Sequence, residues 1–259
     1  MTNRLFLFPL LLIFALTGSG CLNQNVSPPV DNGTPATETN SPNLPTANPS
    51  LSYTDLDPSA AYNLIMNTAD LVILDVSPRY DKGHLPGAIN HYIGDGSLDQ
   101  AIPGLDKTKT YLVYCHVDAA SIPGAQKLVD AGFTKVYRLQ GNYGPWLESG
   151  YPIEINLLAI SPYTGTATAT RSYLDGQFQH SVVAGISDPA PGKFYEGWLV
   201  RGTDFFSTGR LLKQNDSYTL EYTSNADSRD YKKVVITEET ESLGLDNNPE
   251  AHVLEGEFE

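Results

Sequence analysis

Two patterns of hydrophobic and polar positions follow each other along the chain. Between residues 53 and 153, short apolar runs alternate with segments of helical periodicity. The apolar runs predict buried strands at 72–76, 110–114 and 135–139, and the helical segments lie at 58–66, 121–131 and 145–149. Strands that alternate with helices predict a parallel sheet covered on both faces.

The pattern changes from about residue 157 onward, where short strands with partial alternation follow each other closely. The candidate strands lie at 167–170, 177–183, 194–200, 209–212, 218–222, 233–237 and 252–258. Short strands at this spacing favour an all-β antiparallel sandwich. We therefore expect an α/β domain at 53–155 and a β-sandwich domain at 157–259.

The first residues predict export rather than a folded element. Arg4 precedes the apolar run Leu5–Leu16, and small residues then lead to Cys21. The run is short for a membrane span. The segment 1–21 resembles a lipoprotein signal in which Cys21 receives the lipid; an ordinary secretory signal and an uncleaved anchor are the alternatives. Residues 22–52 are rich in Asn, Pro, Thr and Ser, which predicts a disordered tether.

Charge and cysteine content reduce the number of functions that the chain could have. The net charge of −14 and the pI of about 4.6 argue against nucleic-acid binding, which needs a basic face. The chain has two cysteines, so Cys115 has no intramolecular partner if Cys21 carries a lipid. A lone thiol in a structured loop suggests a reactive, exposed cysteine; a buried, inert cysteine is the alternative.

Cys115 lies where a predicted strand ends and a short loop leads into the next helix, for which Ser121 is a candidate N-cap. In open α/β sheets, ligands bind at this edge. Backbone N–H groups and the helix dipole there favour a thiolate over a thiol. The position therefore predicts sulfur chemistry on a nucleophilic cysteine.

Motifs around Cys115 resemble the rhodanese (sulfurtransferase-like) domain over residues 53 to 153. The segments that carry the resemblance are 71–76, ending in Asp75-Val76; 83–88, reading Gly-His-Leu-Pro-Gly-Ala; the strand, Cys115 and loop; and 141–146, ending in Trp146. Each alone is weak, but their order and spacing together are specific.

The resemblance implies that Cys115 carries a sulfane sulfur as a persulfide and passes it to a thiophilic acceptor. The loop residues implied in substrate binding are His116, Val117, Asp118, Ala119, Ala120 and Ser121. Asp75 and Arg79 are supporting residues, with Asp75 expected to bond loop amides or Arg79. His116 either helps to hold the anion when protonated or points into solvent. The donor would be thiosulfate or a polysulfide and the acceptor a thiol or cyanide-type nucleophile, with no cofactor and no metal.

Two departures from the family pattern concern this loop. Ala120 stands where active members often have an arginine, and Asp118 stands at a glycine position. Since arginine supplies paired donors to an oxyanion, thiosulfate binding should be weakened. A catalytically inactive binding or regulatory module at the cell surface is therefore the main alternative. Redox sensing by Cys115 is a third, weakened by the lack of a resolving cysteine in the chain.

The predicted β domain resembles the extracytoplasmic domain of anti-sigma-K factors. The likeness rests on segments 195–200, 209–211 and 253–256 and carries no catalytic residue. It implies a spacer or a module that binds a protein partner. Together the patterns predict an exported protein, anchored to the cell envelope by a lipid on Cys21, with an α/β domain followed by a β-sandwich.

Overall fold

The computed structural model describes residues 52–259. Cys21, the predicted signal peptide and almost all of the predicted tether lie outside these residues. Among residues 52–259, no helix is both long and apolar enough to cross a bilayer.

The α/β part, residues 53–152, contains a parallel sheet. Within it the strands are β1 (Thr54–Leu56), β2 (Val72–Asp75), β3 (Ile89–Asn90), β4 (Tyr111–Tyr114) and β5 (Val136–Leu139). The helices of the same part are α1 (Pro58–Asn67), α2 (Ser97–Ala101), α3 (Asp118–Asp130) and α4 (Tyr143–Glu148). The sheet order is β1-β5-β4-β2-β3, with β4 at its centre and every pairing parallel. The predicted parallel α/β sheet is confirmed.

Local sequence explains where two of the helices begin. At α1, the side chain of Asp57 accepts a hydrogen bond from the N–H of Ala60 at 2.8 Å, and Pro58 occupies the first turn, where its missing N–H costs nothing. Helix α3 instead begins at Asp118, so the prediction of Ser121 as its N-cap is wrong. Ser121 is buried inside the helix, and the N-cap position belongs to Val117, which has no capping side chain.

The β part, residues 153–259, is a single antiparallel sheet. Its described strands are β6 (Ile153–Ala159), β7 (Gly165–Leu174), β8 (Gln177–Ile186), β9 (Lys193–Arg201), β10 (Asp204–Arg210), β11 (Leu212–Gln214), β12 (Ser217–Ser224), β13 (Lys233–Thr240) and β14 (Ala251–Glu257). Their order is β10-β9-β13-β14-β6-β7-β8-β12-β11.

The antiparallel β domain is thereby confirmed, and its hydrogen bonding is continuous from one edge to the other. The sheet curls until it almost closes. Strand β10 comes to lie against β12, where the rings of Phe206 and Tyr222 are 5.7 Å apart. Strand β6 starts at Ile153, slightly before the boundary expected between residues 155 and 157.

One apolar core runs through both parts. It includes Leu112 and Trp146 in the α/β part and Ile155 and Phe178 in the β part, all of them buried. A second cluster lies between the parallel sheet and α3 and contains Leu74, Val113 and Leu128. The two faces of the parallel sheet are thus covered differently, one by α3 and the other by the shared core.

Backbone hydrogen bonds also join the parts next to β2. The N–H of His84 donates to the carbonyl of Glu154 at 2.9 Å, and the N–H of Glu154 donates back at 2.8 Å. The N–H of Glu259 donates to the carbonyl of Lys82 at 2.9 Å. These bonds hold the 80–84 segment, and the loop that follows β2, against the β part.

Candidate active site around Cys115

Cys115 directly follows β4, the central strand of the parallel sheet, and α3 begins three residues later. Parallel strands end at one common edge, so the loop after β4 lies beside the loops that follow β2 and β5. The neighbouring strand β2 ends at Asp75. This edge brings Asp75 and Cys115 close to the loop after β5, which was not among the predicted site residues.

The Cys115 thiol is buried, with 1% of the residue exposed. It packs with Val113 and Ala125 in the apolar layer beneath α3. The expectation of an exposed thiol is therefore wrong, because the side chain points into this layer.

Burial governs the acidity of the thiol. It raises the pKa of Cys115 above its ordinary value, and the negative charge of Asp75 raises it further. The backbone N–H groups of Val117 and His116 face Sγ and act in the opposite direction, but burial is the larger effect. The expected thiolate is thus not favoured at neutral pH, although two N–H donors already face the sulfur.

His116 is nearly enclosed, so the alternative of a side chain pointing into solvent is also wrong. Its ring stacks on Tyr143 at 4.5 Å between centroids. Burial, together with the nearby Arg79 guanidinium, lowers the pKa of His116 to about 4. The imidazole is neutral at pH 7, so it adds no positive charge for an anion.

The other loop residues differ in exposure. Val117, Asp118 and Ala119 are exposed, Ala120 is half-buried against the α3 layer, and Ser121 is buried. Ala120 therefore places a methyl group where an arginine was expected from the family pattern, and no guanidinium from this position faces the loop.

Asn142 connects the loop after β5 to the Cys115 loop. Its Oδ1 accepts a hydrogen bond from the N–H of Cys115 at 3.2 Å, and its Nδ2 donates to Asp118 at 2.7 Å. The residue is buried and has a φ of 64° with a ψ of −149°. This backbone conformation belongs almost entirely to glycine, so the side-chain contacts of Asn142 must offset strain.

Arg138, at the end of β5, neutralises the negative charge of the loop. Its guanidinium donates to both carboxylate oxygens of Asp55 at 2.7 and 2.8 Å and to Asp118 at 2.6 Å. It also contacts Ser121 Oγ at 3.3 Å. The carboxylate of Asp118 is thus tied back towards β5, and its repulsion of an anionic substrate is reduced.

Asp75 bonds one loop amide, as expected, but does not pair with Arg79. Its two carboxylate oxygens accept from the N–H of Ser77 at 2.8 Å and from the hydroxyl of Tyr114 at 3.1 Å. Burial raises the pKa of Asp75 above its ordinary value. Arg79 pairs instead with the carboxylate of Glu259, a residue of the β part.

Sequence reasoning missed four residues of this region, namely Arg138, Asn142, Tyr143 and Glu259. A signal existed for Asn142, because it follows Gly141 at the end of a predicted strand, where a turn with positive φ is common. No local signal could identify Glu259, since its partner Arg79 lies 180 positions earlier.

Comparison with known proteins agrees with this geometry. Residues 57–149 match the family model described as "Rhodanese-like domain". The thiosulfate sulfurtransferase GlpE of Actinobacillus pleuropneumoniae serotype 5b is 31% identical over 103 residues, which cover 39% of this chain and 94% of that protein. The chain belongs to the rhodanese-like family.

Other relatives extend the same match. The thiosulfate sulfurtransferase GlpE of Coxiella burnetii (strain RSA 331 / Henzerling II) is 32% identical over 96 residues, covering 36% of this chain and 87% of that protein. The crystal structure of the Alr3790 protein from Anabaena sp. is similar at 29% identity, with a TM-score of 0.36, over 39% of this chain and 91% of that one. These matches concern the rhodanese-like domain, so they assign no role to the β part.

Proposed function

We propose that the rhodanese-like domain is a sulfurtransferase in which Cys115 carries a sulfane sulfur as a persulfide. The observation that carries this is the position of Cys115 at the carboxyl end of the central strand, with the N–H groups of His116 and Val117 facing Sγ. Backbone N–H groups in this arrangement stabilise an anionic terminal sulfur. The similarity to thiosulfate sulfurtransferases supports the same chemistry.

The first half-reaction consumes the thiolate of Cys115. With thiosulfate as donor, a bond forms between Sγ and the outer sulfur, the sulfur–sulfur bond of thiosulfate breaks, and sulfite leaves with the electron pair. In the second half-reaction a thiol or cyanide-type acceptor attacks the terminal sulfur and Cys115 leaves as the thiolate. Because burial raises the pKa of Cys115, the thiol must first lose its proton, and the loop must open to admit the donor.

The first experiment is the intact mass of the full chain after incubation with thiosulfate and, separately, with a polysulfide. We expect a gain of one sulfur atom that a reductant reverses and that Cys115→Ser abolishes. A gain with the polysulfide alone would assign a different donor and would agree with Ala120 in place of an arginine. A folded protein with a titratable thiol and no gain from either donor would contradict the proposal.

One observation favours a second candidate, a binding module without turnover. Cys115 is buried and its pKa is raised, which disfavours nucleophilic attack. A protein that only binds a partner through this edge should keep its partner affinity in Cys115→Ser. A sulfur carrier would lose transfer in the same variant, so the two candidates predict different results.

We also propose that the protein is exported and held at the membrane by a lipid on Cys21. The support is the apolar run Leu5–Leu16 between Arg4 and the small residues that precede Cys21. Metabolic labelling with a fatty-acid analogue tests this: label should enter the wild-type chain and be absent from Cys21→Ser. Equal labelling of both chains would overturn the proposal.

The β part would then act as a spacer or bind a protein partner, in keeping with its resemblance to the extracytoplasmic domain of anti-sigma-K factors. Its acidic residues and its antiparallel strands give no catalytic constellation, so no reaction is proposed for it.

A further inference from the structure

Glu259 brings a carboxylate of the β part to the edge of the parallel sheet where Cys115 lies. Three contacts fix it there: its N–H donates to the carbonyl of Lys82 at 2.9 Å, its side chain forms an ion pair with Arg79, and its Oε2 lies 3.4 Å from Nδ1 of His116. The backbone contact means that the carboxylate is positioned by the main chain as well as by charge.

Both side-chain partners belong to the loops around the thiol. Arg79 follows β2 and His116 follows β4, and these two strands are hydrogen-bonded neighbours. His116 is the residue next to Cys115. Glu259 therefore bridges the loop that carries the thiol and the adjacent loop that carries a guanidinium.

Two other basic side chains, one in β5 and one in the loop after β4, offer no free positive charge. Arg138 is engaged by Asp55 and Asp118, and His116 is neutral at pH 7. Ala120 supplies no guanidinium. Arg79 lies close enough to His116 to lower its pKa, so its guanidinium is placed to hold an anionic donor beside the Cys115 loop, and in the structure its partner is Glu259.

Resting on the proposed sulfurtransferase function, we infer that Glu259 determines donor specificity by occupying Arg79. The site then prefers a donor with one negative charge or none, such as the persulfide of a small thiol, R–S–SH, over the thiosulfate dianion. With the persulfide, Sγ of the Cys115 thiolate bonds to the outer sulfur, the R–S bond to that sulfur breaks, and R–S⁻ leaves. The outer sulfur keeps its proton, so no oxidant or reductant is needed.

The physical basis is competition between carboxylate and donor for one guanidinium. The side chains of Arg79 and Glu259 are 53% and 32% exposed, so the pair is partly screened by water and can be displaced. Oε2 of Glu259 is buried and makes no hydrogen bond within residues 52–259. A dianion must displace this carboxylate and also meets its repulsion, whereas a persulfide with one negative charge or none meets a smaller repulsion and need not displace it.

The test compares kcat/KM for thiosulfate and for 2-hydroxyethyl persulfide, which carries one negative charge or none, in the full chain and in Glu259→Gln. We expect the thiosulfate-to-persulfide ratio to rise about fivefold at low ionic strength, an effect of the size that a partly exposed ion pair allows. Glu257→Gln is the matched control, because it removes the same charge from an exposed position two residues earlier. Its ratio should stay close to the wild-type value.

Two further arms make the result specific. In an Arg79→Gln background, Glu259→Gln should leave the ratio unchanged, since there is no guanidinium to release. Thiosulfate binding to Cys115→Ser, measured by calorimetry, should also tighten about fivefold when Glu259→Gln is added. This arm needs no turnover.

The outcomes separate the two proposals. Sulfur transfer with an equal donor ratio in wild type and Glu259→Gln, or an equal rise in Glu257→Gln, would overturn the specificity inference and leave the sulfurtransferase intact. Failure of both donors to load Cys115 would overturn the sulfurtransferase, while the binding arm would still decide whether Glu259 excludes the dianion from Arg79.

Discussion

The side chain of Asn142 holds the backbone of Cys115, because Oδ1 of Asn142 accepts the Cys115 N–H at 3.2 Å. Asn142 does this from a backbone conformation, φ 64° and ψ −149°, that non-glycine residues rarely adopt. Strain of this kind costs about 1–3 kcal/mol and persists where surrounding contacts enforce it. The hydrogen bonds to Cys115 and Asp118 are the contacts that enforce it here.

Two replacements of Asn142 separate the effect of its backbone strain from the effect of its side-chain hydrogen bonds. Asn142→Ala keeps the strain and loses both hydrogen bonds, so the free energy of unfolding should fall by about 2–4 kcal/mol. Asn142→Gly also loses the bonds but relieves the strain, so its loss should stay within about 1 kcal/mol. Urea unfolding measures both. Equal losses in the two variants would show that strain at position 142 is unimportant.

Both variants should load Cys115 with sulfur more slowly than wild type, because the loop is no longer fixed. The glycine variant is the informative one, since its stability stays near that of the wild type. Loading of Asn142→Gly at the wild-type rate would mean that Asn142 has a structural role only.

Arg138→Lys tests the two ion pairs that Arg138 forms with Asp55 and Asp118 next to the Cys115 loop. A lysine cannot donate two parallel hydrogen bonds to Asp55 while reaching Asp118, so we expect a loss of about 1–2 kcal/mol in the free energy of unfolding. Arg210→Lys is the matched control, because Arg210 pairs with Glu241 on the surface, where about 0.5 kcal/mol or less is at stake. Similar losses in both variants would argue against a special role for Arg138.

The pH dependence of Cys115 reactivity follows from its raised pKa. Only the thiolate reacts, and burial moves thiolate formation to higher pH, so the alkylation rate with iodoacetamide should still be rising above neutrality. Asp75→Asn removes a negative charge that raises the pKa, so its profile should move to lower pH. A wild-type rate that is already constant below about pH 7 would indicate a stabilised thiolate instead.

Ala120→Arg examines the departure from the family loop. A guanidinium at this position would offer paired donors to an oxyanion, so kcat/KM for thiosulfate should rise about tenfold. Ala119→Arg is the control, since it adds the same charge at the neighbouring, exposed position. If both variants gain equally, general electrostatic attraction and not a specific contact is the cause.

Much of the fold was predictable because the relevant signals are local. The strands β2, β4 and β5 are uninterrupted apolar runs, and α1 has a capping aspartate, Asp57. The elements β1, α2 and β6 were not predicted. For β1 and α2 the reason is that three and five residues carry too little periodicity. The start of α3 was misplaced because a serine is a common N-cap residue. In the structure Ser121 lies within α3, and its hydroxyl accepts a hydrogen bond from Arg138 of β5.

The candidate site was likewise predictable only in part. Asp75 ends β2 and Cys115 follows β4, so both could be placed at one sheet edge from the sequence. The burial of the thiol could not, because it depends on how Val113 and Ala125 pack around it. Pairing of Arg79 with Glu259 depends on the path of the whole β part, which periodicity does not describe.

The apolar core that passes from Leu112 and Trp146 to Ile155 and Phe178 has a consequence for how this protein can be divided. Domains are commonly exchangeable modules, separated by a linker that few contacts cross. Here the contact between the α/β part and the β part is buried apolar core, so cutting the chain between them would expose apolar surface on both fragments. The two parts should melt together in one cooperative transition, and recombination could not transplant the α/β part without the sheet that supports it.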